Sequence, residues 1–138
     1  MDLLEKNELK RLIQRGEGPC ISIYMPTHRM FPGTKQDPIR FKNLLREAEK
    51  RLNEIGIRSV EATKLLKPAK SLIKNGLFWQ YQADGLATFI SSDLFYYHRL
   101  PLKFDELLVV TDRFHIKPLL PLSAMRDGFT FWLSVRTK

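Results

Sequence analysis

The sequence predicts an α+β fold of two layers, in which a pair of packed helices lies on a sheet of about four strands. Two amphipathic segments with a helical period follow each other between residues 37 and 74. One strand-like segment precedes them, and short apolar segments separated by turn residues follow residue 84. We therefore expect a two-layer sandwich, with a mixed sheet covered on one face by the helical hairpin and an N-terminal helix.

A short helix and a first strand are predicted at the start of the chain. Gly16 and Gly18 end the helix, and Cys20–Met25 alternates in a way that is typical of a strand with one well-buried face, closed by Pro26. The apolar residues that recur at helical spacing in the first segment are Leu3, Leu4, Leu9, Leu12 and Ile13.

The helical hairpin is the most strongly patterned part of the chain. Asp37 and Pro38 predict the start of its first helix, because the carboxylate can accept from first-turn amides and proline needs no partner there. Gly56 predicts its end, Ser59 is expected to cap the second helix, and Pro68 predicts a kink or brief break in that helix. The apolar stripes are Phe41, Leu44, Leu45, Ala48, Leu52 and Ile55 in the first helix, and Ala62, Leu65, Leu66, Ala69, Leu72 and Ile73 in the second.

The remainder of the chain has the pattern of strands. An aromatic cluster at Phe78, Trp79 and Tyr81 follows the hairpin and is either a packing lid or a base-stacking platform. The predicted strands are Gly85–Ile90, Phe95–Leu100, Leu107–Phe114 and Phe129–Val135.

The composition is that of a globular protein of one domain. Of its 138 residues 43% are apolar, no apolar run approaches the length of a membrane span, and the N-terminal segment is charged, unlike a secretory signal. The single cysteine, Cys20, cannot form an internal disulfide. These features predict a cytoplasmic protein that does not enter a membrane.

The positive charge is concentrated on the hairpin. Residues 28–76 hold twelve of the 23 lysines and arginines and five acids, so this stretch carries +7 (twelve less five) of the formal net charge of +8. Such a local basic surface indicates a polyanionic partner, although a solvated helix face that keeps the protein in solution is the alternative. The candidate RNA-binding residues are Lys64, Lys67, Lys70 and Lys74 on the second helix, Lys42, Arg46 and Lys50 on the first, and His28 and Arg29 in the loop before it. Glu47 and Glu49 lie close enough to the row on the first helix to neutralise part of its charge.

A second candidate is the loop after the first strand. Thr27, His28 and Arg29 could contact a phosphate together, or they could be a turn whose polar groups are satisfied within the protein.

The sequence contains little that predicts catalysis. No metal ligands and no cofactor are predicted, because His28, His98, His115 and Cys20 lack the paired spacings of zinc sites. Asp84, Asp105, Glu106 and Asp112 lie on separate segments, so a small hydrolase acting on an anionic substrate requires them to converge in the fold.

Several segments, in their order along the chain, resemble a known family. They are Cys20–Pro26, the hairpin, Asp84–Phe89 and Leu107–Leu120. Together they resemble the N-terminal domain of the archaeo-eukaryotic class-one peptide-chain release factors and their Pelota-like relatives. Cys20–Arg29 (CISIYMPTHR) and Gln36–Leu45 (QDPIRFKNLL) are similar to the bacterial branch of that superfamily.

The codon-reading motifs of the release factors are only partly present. In those proteins the hairpin turn carries Asn-Ile-Lys-Ser, and here it is Gly56-Ile57-Arg58-Ser59, which adds Arg58 to the candidate RNA-binding residues. Of the family's Tyr-x-Cys-x-x-x-Phe signature, Leu108 and Val110 replace the first two key residues and Phe114 keeps the third.

The resemblance also implies a domain organisation. The family's Gly-Gly-Gln loop for peptide release lies in a middle domain, and this chain has no such loop. We expect residues 1–124 to form the N-terminal domain and residues 125–138 to hold the first strand of a truncated following domain. Without the rest of that domain the apolar face of the strand has no partner, and the strand can pair with a second copy of the chain, which predicts a possible homodimer.

The function that the resemblance implies is docking on the ribosome, rRNA or tRNA. The module would support translation termination, ribosome rescue or peptidyl-tRNA release by other domains, and this chain would not itself be an enzyme. The alternatives are the small hydrolase described above and a protein-interaction scaffold.

Overall fold

The computed structural model describes residues 18–92 and 94–119, and within them it confirms the α+β fold. The predicted N-terminal helix, the strand Phe129–Val135 and the boundary between residues 124 and 125 lie outside the described residues. The elements are β1 (Cys20–Pro26), α1 (Gly33–Glu54), α2 (Ser59–Ile73), α3 (Gly76–Gln80), β2 (Gly85–Ser91), β3 (Leu94–Leu100), β4 (Leu107–Thr111) and a 3₁₀ turn (Lys117–Leu119).

The sheet has the order β3-β2-β1-β4, and all three pairings are antiparallel. The prediction of a mixed sheet is therefore wrong. The α1–α2 hairpin runs out and back, so it returns the chain to the end of the sheet that it left. Gly85 pairs with Pro26 as a result, and β2 runs against β1.

The main core lies between the hairpin and one face of the sheet. The predicted stripes provide it, since their central residues are buried, whereas Ile55 at the end of the first stripe is 56% exposed. From the sheet, Ile21, Ile23 and Met25 of β1 pack into the same cluster. The helix residues in this cluster are Phe41, Leu45, Ala48, Leu52, Ala62, Leu66, Ala69, Leu72, Phe78 and Trp79.

The opposite face of the sheet is also covered, which the expectation of one well-buried face did not include. Tyr24 is fully buried there, its hydroxyl donates to the carbonyl of His115, and the hydroxyl of Ser22 accepts from the amide of His115 at 2.8 Å. Leu107–Phe114 was predicted as one strand, but pairing ends at Thr111, and the chain then crosses this face. The second cluster contains Cys20, Tyr24, Ala87, Phe89, Leu100, Phe104, Phe114, Ile116 and Leu119.

The start of α1 differs from the prediction. The helix begins at Gly33 rather than after Asp37, and Pro38 lies inside it. The Asp37 carboxylate is fully buried and accepts from the backbone amide and from Nδ1 of His28, both at 2.8 Å. Asp37 does not cap the helix, because the loop before α1 folds back and supplies its partners.

The turn between α1 and α2 is a Schellman motif. Gly56 has a φ of +97°, the amide of Ile57 donates to the carbonyl of Leu52 at 2.9 Å, and the amide of Gly56 donates to that of Asn53 at 3.1 Å. Gly56 thus ends α1 as predicted. The helical bonding of α2 begins one residue early, from the carbonyl of Arg58, so the expectation that Ser59 caps α2 is wrong.

Helix α2 is continuous through Pro68, so of the predicted kink or brief break the break is absent. Both halves of the helix bury residues of the same stripe, and their packing on the sheet and α1 maintains the helix across the missing hydrogen bond.

Candidate nucleic-acid interface

A basic groove lies between α1 and α2. It has a volume of about 600 Å³, comparable with ligand-binding clefts, and both helices contribute to its walls. We call it the basic groove, and the residues that line it are Lys42, Leu45, Arg46, Glu49, Lys67, Lys70, Ser71, Ile73 and Lys74.

The packing of the hairpin explains why these side chains converge. Leu45 is buried in the core at the base of the groove, and Ile73 packs partly against the same core. The cations occupy positions next to these stripes, so docking of the two apolar stripes places the two basic rows side by side. The antiparallel turn at Gly56 sets their relative direction.

The basic groove carries a net positive charge of four, from five cations less one carboxylate. Lys70 donates to Glu49 at 3.2 Å, and this pair is partly buried. The other cations of the groove, Lys42, Arg46, Lys67 and Lys74, are exposed, and none of them forms an ion pair with any residue that the structure describes. Charges of one sign on facing walls attract an anion more strongly than the same charges dispersed over a surface.

The acids near the basic groove act differently from the sequence-based expectation. Glu47 and Glu49 were expected to neutralise part of the row on α1. Glu47 instead pairs with Arg51 at 3.3 Å outside the groove, and Glu49 reaches across to α2. Glu49 is thus a residue of the groove that was missed, because its partner depends on the register between the two helices.

Five of the predicted RNA-binding residues lie outside the basic groove, namely Lys50, Arg58 and Lys64 of the hairpin and His28 and Arg29 of the loop after β1. Lys50 is exposed on α1, and Arg58 is exposed at the N-terminus of α2. Lys64 lines a second, smaller groove of about 320 Å³ together with Ile57, Leu65 and other residues near the turn after β2.

The loop after β1 is satisfied within the protein. The Thr27 hydroxyl donates to the carbonyl of Ala83 at 2.8 Å, and His28 is held by Asp37. Arg29 pairs with Asp84 at 3.0 Å, and this hydrogen bond lowers the pKa of the Asp84 carboxyl and raises that of the guanidinium. The structure therefore gives all three polar side chains protein partners, and it separates His28 and Arg29 from the basic groove.

Two of the acids considered for hydrolysis, Asp84 and Asp112, do not lie together. Asp84 directly precedes Gly85, which pairs with Pro26, whereas Asp112 directly follows Thr111, which pairs with Cys20. These two acids therefore lie at opposite ends of β1. Glu106 pairs with Arg40 of α1.

The aromatic cluster after α2 serves mainly as a lid on the core. Phe78 and Trp79 are buried with their ring centroids 4.7 Å apart, and the Trp79 indole donates to the carbonyl of Leu72 at 2.7 Å. Tyr81 is 68% exposed. Two of the three rings are thus unable to stack on a ligand.

Residues 18–92 and 94–119 contain no cluster of three or more metal-ligating side chains. Within the same ranges, no helix combines the length and the apolar character needed to cross a bilayer.

The sequence matches no family model and no curated protein. The basic groove is thus the feature of the described structure from which a function can be argued.

Proposed function

We propose that this domain docks on RNA, in the ribosome or in tRNA, through the basic groove between α1 and α2. The observation that supports this proposal is the convergence of two basic rows on one groove in which, among the described residues, Glu49 is the single carboxylate. Arginine and lysine without acidic partners are the usual contacts of proteins with phosphates. The resemblance of the quoted segments to bacterial release-factor-like proteins agrees with a ribosomal partner.

In this proposal the module is cytoplasmic and supports termination, rescue or peptidyl-tRNA release by other domains. It acts by binding and not by catalysis. The separation of Asp84 from Asp112 gives no support to the hydrolase alternative.

The proposal assigns the candidate residues unequal roles. Lys42, Arg46, Lys67, Lys70 and Lys74 contact phosphates in the groove. The remaining candidates, Lys50, Arg58, Lys64, His28 and Arg29, contribute at most to the long-range attraction of the RNA.

Charge reversal at matched positions tests this assignment. The groove variant is Lys42→Glu, Lys67→Glu and Lys74→Glu, and the control variant of equal net charge is Lys50→Glu, Lys64→Glu and Lys103→Glu. All six lysines are exposed in the structure. Binding of a labelled RNA hairpin and of bacterial ribosomes is measured at about 0.15 M salt, with thermal melts to check folding.

We expect the groove variant to bind at least about ten-fold more weakly, since it loses roughly three phosphate contacts, and the control variant to bind within about three-fold of the parent. Equal losses in the two variants would show that net charge matters and the groove does not. Absence of binding by the parent would refute the proposed function.

A further inference from the structure

We infer that the basic groove binds the sugar-phosphate backbone alone, so that the domain holds nucleic acid irrespective of its base sequence. This inference rests on the proposed function and specifies which part of the ligand the groove contacts. It is carried by the chemistry of the lining and by the internal use of nearby side chains that could otherwise recognise a base.

The lining of the groove suits phosphates and not bases. Four of its five cations are lysines, which act as point charges without a directional fork. Its uncharged lining residues are two aliphatic side chains and the hydroxyl of Ser71, which donates to the carbonyl of Pro68 at 2.6 Å. Base readout uses aromatic platforms or the amides of Asn and Gln, and neither is found among the described residues that line the groove. Arg46 has a forked guanidinium, but such a fork binds a phosphate as well as a guanine.

Asn75, Gln82, Phe78 and Trp79, which lie beyond the end of α2 and could read a base, have partners inside the protein, whereas Gln80 and Tyr81 are exposed. The Asn75 side chain accepts from the amide of Phe78 at 3.1 Å, and the Gln82 amide donates to the carbonyl of Phe78 at 2.7 Å. The Phe78 ring lies 4.9 Å from that of Tyr97, and Trp79 is buried. These groups pack in the core or cap a helix and are therefore not directed at a ligand.

The length of the basic groove fits a short piece of backbone. Lys67 and Lys70 of α2 and its C-cap residue Lys74 form one wall, and the seven steps from Lys67 to Lys74 correspond to about 10 Å of helix. A nucleic-acid strand advances about 3.4 Å per nucleotide along a duplex axis, so this wall faces about three nucleotides. The cations of α1 form the other wall, and the net charge of four in the basic groove is enough to neutralise a similar number of phosphates.

An abasic strand distinguishes backbone binding from base binding. Two labelled strands of equal length and charge are compared by fluorescence anisotropy, an oligothymidylate and an oligomer of abasic tetrahydrofuran phosphodiesters. We expect their dissociation constants to agree within about three-fold, and the groove variant to weaken both strands equally. Each base stacked on the protein would instead favour oligothymidylate by about five-fold or more.

The outcomes separate this inference from the proposed function. If oligothymidylate binds at least about five-fold more tightly than the abasic strand, the groove does not act through the backbone alone, and RNA docking survives. In that case, Tyr81→Ala identifies the exposed Tyr81 ring as the stacking platform if it removes the preference for oligothymidylate. If the groove binds the backbone alone, we expect Tyr81→Ala to leave the affinities for both strands unchanged. If neither strand nor the RNA hairpin binds, both proposals fail.

Discussion

Glu49 is the residue whose change gives the sharpest test of the basic groove, because the variant should gain function. Its carboxylate lies among five cations and forms an ion pair with one of them, Lys70. We expect Glu49→Gln to tighten RNA binding by about two- to five-fold, since a repulsive charge leaves the site and an exposed cation is released. The same change at Glu47, whose pair with Arg51 lies outside the groove, is the control. If Glu47→Gln tightens binding as much, the effect is one of net charge.

The burial of Tyr24 predicts that the folded protein loses stability at alkaline pH. Burial raises the pKa of its phenol above the ordinary value of 10.0, so the hydroxyl stays neutral in the folded protein. Its contribution to stability is complete below about pH 10 and is lost as the pH rises further, by up to about 1.4 kcal/mol per pH unit.

The variant Tyr24→Phe should separate this effect from other titrations. We expect it to be less stable than the parent at pH ~8, by about 1 kcal/mol, because the hydrogen bond to His115 is lost. Above about pH 10 its melting temperature should fall less steeply than that of the parent. Tyr81→Phe, at an exposed ring, is expected to follow the parent. Parallel curves for Tyr24→Phe and the parent would show that Tyr24 does not titrate on unfolding.

At the scale of the elements, the sequence predicted what depends on local periodicity. The stripes of α1 and α2 repeat at 3.6 residues, and the pattern therefore identified which residues are buried and which rows are basic. The pairing of Glu49 with Lys70 and of Asp37 with His28 depends on how separate elements dock. Such contacts leave no local pattern, which is why the helix start and the acid in the groove were missed.

The hairpin turn offers a test of one element. Gly56 adopts a positive φ of +97° and a Cβ there would meet nothing within 4 Å, so Gly56→Ala should cost only backbone strain, about 1–2 kcal/mol. Gly76→Ala is the control, because Gly76 also has open space but no positive φ. Denaturant unfolding measures both variants. A stable Gly56→Ala variant would mean that the turn can relax to another conformation without loss.

At the scale of the molecule, the order of the elements predicted the fold class, but the strand directions and the second core did not follow from it. The direction of β2 depends on where the hairpin returns the chain. The predicted strand Leu107–Phe114 included Phe114 and ended two residues before Ile116. In the structure both residues instead lie across the second face of the sheet. Alternation could not reveal this, because an apolar segment has the same pattern whether it pairs as a strand or packs as a cover.

The cations of the groove that lack acidic partners among the described residues lie apart from the arginines that are paired with acids. A localised binding site can therefore be tested. Lys42, Arg46, Lys67 and Lys74 lie on the two walls of the basic groove, whereas Arg29, Arg40 and Arg51 are paired with acids elsewhere.

An NMR titration of the amide signals with the RNA hairpin therefore tests the central claim most directly. We predict that the largest shifts fall in residues 42–49 and 67–74, the two walls of the groove, and that they shrink as salt rises. Shifts centred on the hairpin turn at residues 55–59, on the loop at residues 27–32, or on residues 112–117 would contradict the claim that RNA docks in the groove.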